Sequence, residues 1–347
     1  SSIASHRAFS PSRLMKVVYI ERAEHPLYHS LERVFRLIRE HLSPRVELSR
    51  FNLPGTGVRW KNLLALRAFR RKMGKDVLFH VTGDIHYATL MLPGKRTVLT
   101  MHDLNFLHHY SGLRHLLIRL LYLHVPLWKG VTLTAISEAT KAEFVKETGC
   151  DPGRITVIPN PVIQRYSAMV EKKMGPSPIL LFVGSTPNKN LSRVAEALKG
   201  MACTLHIIGT PDEKVMSDLS ANGVEFVTRR GLTDEEMSEA YDHADIVLFP
   251  SLYEGFGLPI LEGFQACRPV LTSDLEPMRS VADGAAMLVD PLSVGSIREG
   301  LRKLIDDPQL RRAMVEKGKK VVERHDPRRI AGLYEDLYRE MHQRMRG

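Results

Sequence analysis

Apolar residues along the chain fall into two rhythms: short solid runs, and longer stretches with an apolar position every three or four residues. The runs KVVYI (16–20), DVLFHV (76–81), TVLTM (97–101), TLTAI (132–136) and ITVIP (155–159) read as strands. Between them, residues 30–42 put Leu31, Val34, Phe35, Ile38 and Leu42 on one helical face. Residues 60–72 read as a strongly basic helix, and 113–129 as a further helix that Pro126 kinks or ends. Ser137 is placed to cap a helix over 138–148. The second half repeats the rhythm. Strands are expected at 179–184, 204–209, 224–227, 245–250, 269–273 and 285–290. Helices are expected at 191–199, 212–222, 234–242, 259–267, 294–306 and 309–323, with a last one from 328 to about 346. Solid apolar strands alternating with helices predict parallel sheets covered on both faces.

The expected fold class is therefore α/β, with two doubly wound Rossmann-like domains facing a cleft. The boundaries read as 15–160 and 179–327. The linker is 161–178, where Pro161, Gly175, Pro176 and Pro178 interrupt any periodicity. The final helix, about 328–347, is expected to pack back on the first domain. A length of 347 residues agrees with two domains. Apolar content of 44% with 25% charged residues is that of a soluble globular protein. The most apolar stretch, 113–128, is broken by Arg114, His115, Arg119 and His124, which argues against a membrane-spanning helix. Residues 1–14 lack the apolar core of a signal peptide and are set aside from the fold. Cys150, Cys203 and Cys267 are far apart and odd in number. They show no metal-ligand spacing, so they read as buried thiols in a reducing compartment.

Charge changes the picture more. The net charge is +10, but residues 1–160 hold 24 Lys and Arg against 12 Asp and Glu, and residues 161–347 hold 25 against 27. The first half therefore faces something anionic: nucleic acid, an anionic membrane surface or a phosphorylated acceptor. Two stretches, Leu63–Lys72 and Arg114–Leu120, mix cations with leucines as membrane-surface helices do, and equally as core helices with a solvated face do.

Candidate chemistry concentrates in PSLYEGFGLPILEGFQACRP (250–269). This segment starts at the carboxyl end of a predicted strand. Gly255 and Gly257 permit close approach of the backbone to a ligand, and Pro259 suits a first helical turn. The N–H groups near Gly257 and Leu258 then form a helix N-terminus fit for a diphosphate. Glu254 lies in the loop and Glu262 one turn into the helix, where carboxylates can accept paired hydroxyl hydrogen bonds.

Glu254, seven residues, then Glu262, inside PSLYEGFGLPILEG, resembles the E-x7-E motif of retaining glycosyltransferases of the GT-B fold (family 4, group 1 type). IPNPV (158–162), TAISEATK (134–141), TMHDLNFLHH (100–109) and 269–291 also resemble that family, so the resemblance covers about 95–345. It implies transfer of a mannose- or glucose-type hexose from a nucleoside-diphosphate sugar to an acceptor hydroxyl, with the anomeric configuration kept. It implies that Glu254 lies near the donor sugar hydroxyls and Glu262 near the ribose, with Phe256 in the same donor loop. His102 matches a histidine that contacts the donor sugar, and Asp103 would orient it or cap the next turn. In FVGSTPNKNLSR (182–193), Lys189 matches the family's phosphate-binding lysine, and Asn190 is expected to cap the next helix. The usual arginine position is filled by Ser185, Thr186 or Asn188, none of them cationic; Arg229 or Arg230 is the substitute. Glycines common in the family's first loop are absent from 21–30, where His25, Tyr28 and His29 either contact ligand or pack the loop. Asp84 and His86, with Gly83 and Tyr87, are assigned to the acceptor side.

Neither a cofactor nor a metal is expected, since no DxD-type pair stands at a strand end; Asp306–Asp307 reads as a helix terminus. The expected partners are the nucleotide-sugar donor and a carbohydrate or lipid-linked acceptor, with an anionic membrane surface as a further candidate and no nucleic acid. The expected location is cytoplasmic, at the inner face of the plasma membrane. Competing readings are a nucleotide-sugar epimerase or hydrolase of the same fold, a non-catalytic donor-binding protein, and a basic nucleic-acid-binding protein.

Overall fold

A computed structural model describes residues 14–23, 30–163 and 172–346, without the side chains of Ser30, His108 and His109. It divides into two compact units. One falls within Ser1–Ala135, Lys141–Ile158 and Arg328–Gly347, the other within Ile136–Thr140 and Pro159–Pro327.

The first unit is built in the order β1 (Met15–Glu21), α1 (Ser30–Glu40), β2 (Val46–Asn52), α2 (Trp60–Arg71), β3 (Val77–Val81), β4 (Thr97–Met101), α3 (Gly112–Arg119), α4 (Val125–Trp128), β5 (Thr132–Ala135), α5 (Glu138–Thr148) and β6 (Ile155–Val157). Its six strands are parallel, in the order β2-β1-β3-β4-β5-β6. The solid apolar runs are the central strands, and all five residues of β3 and of β4 are buried. β2 was not expected from the sequence. It is an edge strand with most of its side chains toward solvent, so VELSRFN carries no apolar run to betray it. The expected helix over 113–129 is divided into α3, a π-helical turn at Leu120–His124 and α4, with Pro126 in the first turn of α4. Ser137 caps α5 as expected, its Oγ accepting from Thr140 N at 3.1 Å.

The second unit runs β7 (Ile179–Val183), α6 (Leu191–Ala197), β8 (Thr204–Ile208), α7 (Glu213–Ala221), β9 (Glu225–Arg229), α8 (Asp234–His243), β10 (Ile246–Phe249), α9 (Leu258–Gln265), β11 (Val270–Ser273), α10 (Met278–Ala282), β12 (Met287–Val289), α11 (Val294–Asp306) and α12 (Pro308–Arg324). Its parallel sheet has the order β12-β11-β10-β7-β8-β9. Asp307 caps α12 by accepting from Gln309 N and Leu310 N, both at 2.9 Å, which makes the Asp306–Asp307 pair a helix junction. Among the described residues no helix is long and apolar enough to cross a membrane. Cys203 and Cys267 are buried and Cys150 is half-buried.

The last helix, α13 (Pro327–Arg344), docks on the first sheet. Tyr334 and Tyr338 are buried there against His80 and Phe35. The His80 ring hydrogen-bonds with Tyr338 Oη at 2.6 Å through Nδ1 and with Thr100 Oγ1 at 2.7 Å through Nε2. Thr100 passes the chain on to Thr134 at 2.7 Å. Burial in such a site opposes the charged form. It lowers the His80 pKa to about 3, with His102 adding to the effect, and that of His86 to about 4. The unfolded chain takes up these protons near pH 6.5, so between that value and the folded pKa values it binds more protons than the native state. Stability should therefore fall as pH drops from about 6.5 toward 4, at a slope approaching 1.4 kcal/mol per pH unit for each histidine. A pH series of denaturant melts measures it. A flat stability over that range would show that these rings are not held neutral.

Candidate active site

β7 and β10 are the neighbours at which the second sheet reverses its order. The chain passes outward from β7 through β8 to β9, then returns to β10 on the other side of β7. Loops leaving the carboxyl ends of these two strands diverge around a crevice, the usual ligand seat of an open α/β sheet. Residues 184–190 form one loop and 250–257 the other.

Backbone and asparagine bonds tie the loops together. Leu252 N donates to Asn188 O at 2.7 Å, and Asn188 Nδ2 to Tyr253 O at 3.0 Å. Asn190 Nδ2 donates to Pro250 O at 3.0 Å and Pro291 O at 2.7 Å. Across this frame Lys189 Nζ meets Glu254 Oε1 at 2.5 Å, the side chains being 20% and 14% exposed. The same ammonium lies 5.0 Å from the centre of the Phe249 ring. Gly184, at φ 100, makes room for it, because a β carbon there would stand 2.9 Å from Lys189 Cε and Cγ. Asn190 does not cap α6 as expected. It is in the left-handed region at φ 72 with no capping bond, and its amide bridges the two loop carbonyls instead.

The second loop ends at Gly257, φ 113, and α9 begins at Leu258 with Pro259 in its first turn. Unbonded N–H groups at a helix start carry partial positive charge, which suits a phosphate. Glu262 lies one turn further on, 6% exposed, and accepts a hydrogen bond from Tyr241 Oη of α8 at 2.5 Å. Gly255 O accepts from Ser137 Oγ at 3.0 Å. The Phe256 ring is buried edge-on to His325 and is not turned to a ligand. Ser185 Oγ accepts from Thr210 N at 3.0 Å, and the exposed Thr186 donates to Asn188 Oδ1 at 2.7 Å. Arg230 is exposed just past β9, two strands from β7, and no hydrogen bond or ion pair among the described residues joins it to either loop. Arg229 pairs with Glu236 at 3.4 Å.

The candidates in the first unit are more dispersed. His102 follows β4, is 3% exposed, and bonds Thr82 O through Nε2 at 2.8 Å. A carbonyl can only accept, so Nε2 carries the proton. Burial lowers the pKa of this ring and keeps it neutral. Asp103 Oδ1 accepts from Asn105 N at 2.9 Å and so caps the next turn. Asp84 stands beyond β3, its Oδ2 3.9 Å from Arg22 Nη1. Its carboxyl pKa is raised, by burial first and by Glu32, with Arg22 opposing. His86 is a correction. The ring is fully buried between Phe106 and Tyr122 and donates from Nδ1 to Tyr122 O at 3.1 Å, so it packs the core and lines no surface. Tyr28, with His25 and His29, lies outside the described residues. Arg22 was missed. Its guanidinium forks onto Glu32 at 2.5 and 3.0 Å, a bidentate geometry joining residues ten apart.

Two family models match in tandem. The model described as Glycosyltransferase Family 4 covers residues 17–164, and the one described as Glycosyl transferases group 1 covers 168–321. The chain belongs to this glycosyltransferase family. Relatives in it include the MMP α-(1→4)-mannosyltransferase of Mycolicibacterium hassiacum, 26% identical over 54% of this chain and 48% of that one. The O-antigen chain mannosyltransferase B of Escherichia coli is 25% identical over 70% of this chain and 69% of that one. The chain thus spans about half the length of the first and about two thirds of the second. Among solved structures, Anabaena HepE in complex with UDP and glucose superposes with a TM-score of 0.74 at 14% identity, over 94% of this chain and 100% of that one. This likeness gives the glycosyltransferase its fold, the GT-B type of paired parallel-sheet α/β units.

Proposed function

We propose that this glycosyltransferase moves a hexose, of the mannose type, from a nucleoside-diphosphate sugar to an acceptor hydroxyl with retention of anomeric configuration. The observation that carries the reading is the paired loop at the β7–β10 crevice. It gathers Lys189, Glu254 and the open start of α9 at one carboxyl edge, with Glu262 one turn along the same helix. The mannosyltransferases among the relatives support mannose as the sugar. On this reading the sugar C1–O bond to the diphosphate breaks while the acceptor oxygen bonds C1 on the same face. The acceptor proton passes to the departing phosphate oxygen. The transition state resembles an oxocarbenium ion, and charge grows on the leaving diphosphate. The N–H groups at the start of α9 and the Lys189 ammonium would stabilise that charge. Glu254 would hold the sugar hydroxyls and Glu262 the ribose. Ser185 and Thr186 would take the neutral positions beside the diphosphate.

Thermal stabilisation by a panel of nucleoside diphosphates and sugar nucleotides tests the donor site. One base should raise the melting temperature, by about 2.7 kcal/mol of stability at a ligand concentration of 100 Kd, and Glu262→Ala should abolish the shift. Absence of a shift with every nucleotide sinks the reading. The anomeric coupling constant of the product then reports retention or inversion.

The acceptor is proposed to be lipid-linked and met at an anionic membrane. The α3 stripe supports this: Leu113, Leu116, Leu117 and Leu120 recur at helical spacing, yet all four are exposed, Leu113 by 86%, with Arg114 beside them. A stripe of this kind is normally turned to a core, and when exposed beside cations it suits a lipid interface. Leu113→Glu with Leu117→Glu should abolish cosedimentation with anionic vesicles at low salt. Equal sedimentation of the native chain with neutral and anionic vesicles would overturn the proposal.

A further inference from the structure

The amino-terminal edge of the second sheet carries a concavity that the donor reading does not use. Asp245 immediately precedes β10 and Pro269 immediately precedes β11, and both line it. Because the strands are all parallel, this edge is opposite the one bearing Lys189 and Glu254. The cavity is about 460 Å³, within the range of small-molecule sites. Among the described residues its charged lining is Lys172, Lys173, Arg268, Arg311 and Arg312 against the single carboxylate Asp245. That carboxylate is already engaged, with Oδ2 accepting from Ile179 N at 2.8 Å and Oδ1 lying 3.1 Å from Lys172 Nζ.

This clustering is not the background of the region. Residues 161–347 have 25 cations and 27 anions, yet five of the cations surround one cavity. Like charges so placed repel one another, and an anion among them relieves the repulsion while the concave wall focuses the field. Arg268 is 5% exposed, with its guanidinium fixed by Tyr241 O at 3.2 Å and Asp242 O at 2.9 Å. Lys173 and Arg312 are exposed and free to adjust. The start of α12 does not supply the attraction, because Asp307 occupies its first N–H groups. Met174 and Val315 add an apolar wall.

We infer that this pocket binds a soluble small molecule bearing two or more phosphate charges, at a site separate from the donor crevice. Calorimetric titration with inorganic pyrophosphate tests it, using Lys189→Ala to disable the donor crevice. Lys189→Ala should still bind pyrophosphate at one site, and adding Lys173→Ala and Arg312→Ala should weaken that binding at least tenfold. Both added positions are exposed, and an unchanged melting temperature without ligand checks that the fold persists; Arg312→Gln alone should weaken binding in the same direction. Loss of all binding in Lys189→Ala, or binding indifferent to the pocket substitutions, would overturn the inference. So would pocket-dependent capture of phosphatidic acid vesicles without pyrophosphate binding, since the ligand would then be a lipid headgroup. The inference does not depend on the transferase reading: a chain that bound no nucleotide could still bind pyrophosphate here.

Discussion

Glu254→Ala is expected to lower kcat/KM for sugar transfer by about 10²–10³-fold, the loss typical when one group aimed at a reacting centre is removed. The carboxylate is held by Lys189 at 2.5 Å on a loop that three hydrogen bonds fasten to its neighbour. A group so fixed contributes without reorganising during the reaction. Lys189→Ala should lose activity on a similar scale, and the two losses should not add in the double variant, because each residue orients the other. Stability should suffer less. Removing one partner of a fully buried ion pair costs about 3–5 kcal/mol, but this pair is 20% and 14% exposed and partly screened, so about 1–2 kcal/mol is expected. Glu254→Gln, which keeps shape and loses charge, should recover stability and not activity. Activity of Glu254→Ala within tenfold of the native chain would remove this residue from the chemistry.

Phe264→Ala should destabilise the second unit by about 3–5 kcal/mol, the usual cost of emptying a buried aromatic site. The ring is 1% exposed on α9 and fills the space left by Gly318 of α12, where a β carbon would come within 2.9 Å of it. On the other side of α9, Gly263 permits equally close contact with β11; its β carbon would stand 2.7 Å from Val270 Cγ2. α9 is thus clamped between a helix and a strand, and it is the helix that carries Glu262 and starts beside the donor loop. A loss of that size is a large part of a domain's net stability. At about 2–4 °C per kcal/mol it should lower the transition by about 10 °C, and nucleotide affinity should fall with it. A shift under 2 °C would show that α12 closes over the gap and that α9 is not held by this contact.

The sequence made much of this architecture legible, for reasons particular residues show. Helices over 138–148 and 294–306 stand where the pattern put them, each with its capping serine, Ser137 and Ser293. β2 escaped because an edge strand needs no apolar face on its outer side. His86 was misassigned because a histidine after a strand reads as exposed, whereas here the short turn it opens is packed among aromatic rings. The spacing of Glu254 and Glu262 around Gly257 and Pro259 placed both carboxylates correctly on the loop and the helix. The frame behind them was invisible. Asn188 and Asn190 find their partners at Tyr253, Pro250 and Pro291, and Tyr241 reaches Glu262 from another helix. No local pattern records such pairings, since their meaning exists only after the strands have been ordered. The leucines of α3 had two readings in the sequence, and only their exposure separates them.

The docking of α13 sets an order of assembly during synthesis. The second unit's sheet is encoded continuously between Ile179 and Val289, and the α11 and α12 residues that complete its core, as far as Val321, all precede α13. The first unit is begun earlier and finished later: His80 and Thr100 are translated long before Tyr334 and Tyr338, the side chains that seal them. Until α13 is released, a fully buried histidine and a row of threonines stand open to water on an incomplete sheet. The nascent first unit should therefore be the segment most exposed to proteases and chaperones, and the docking of α13 the step that ends this vulnerability.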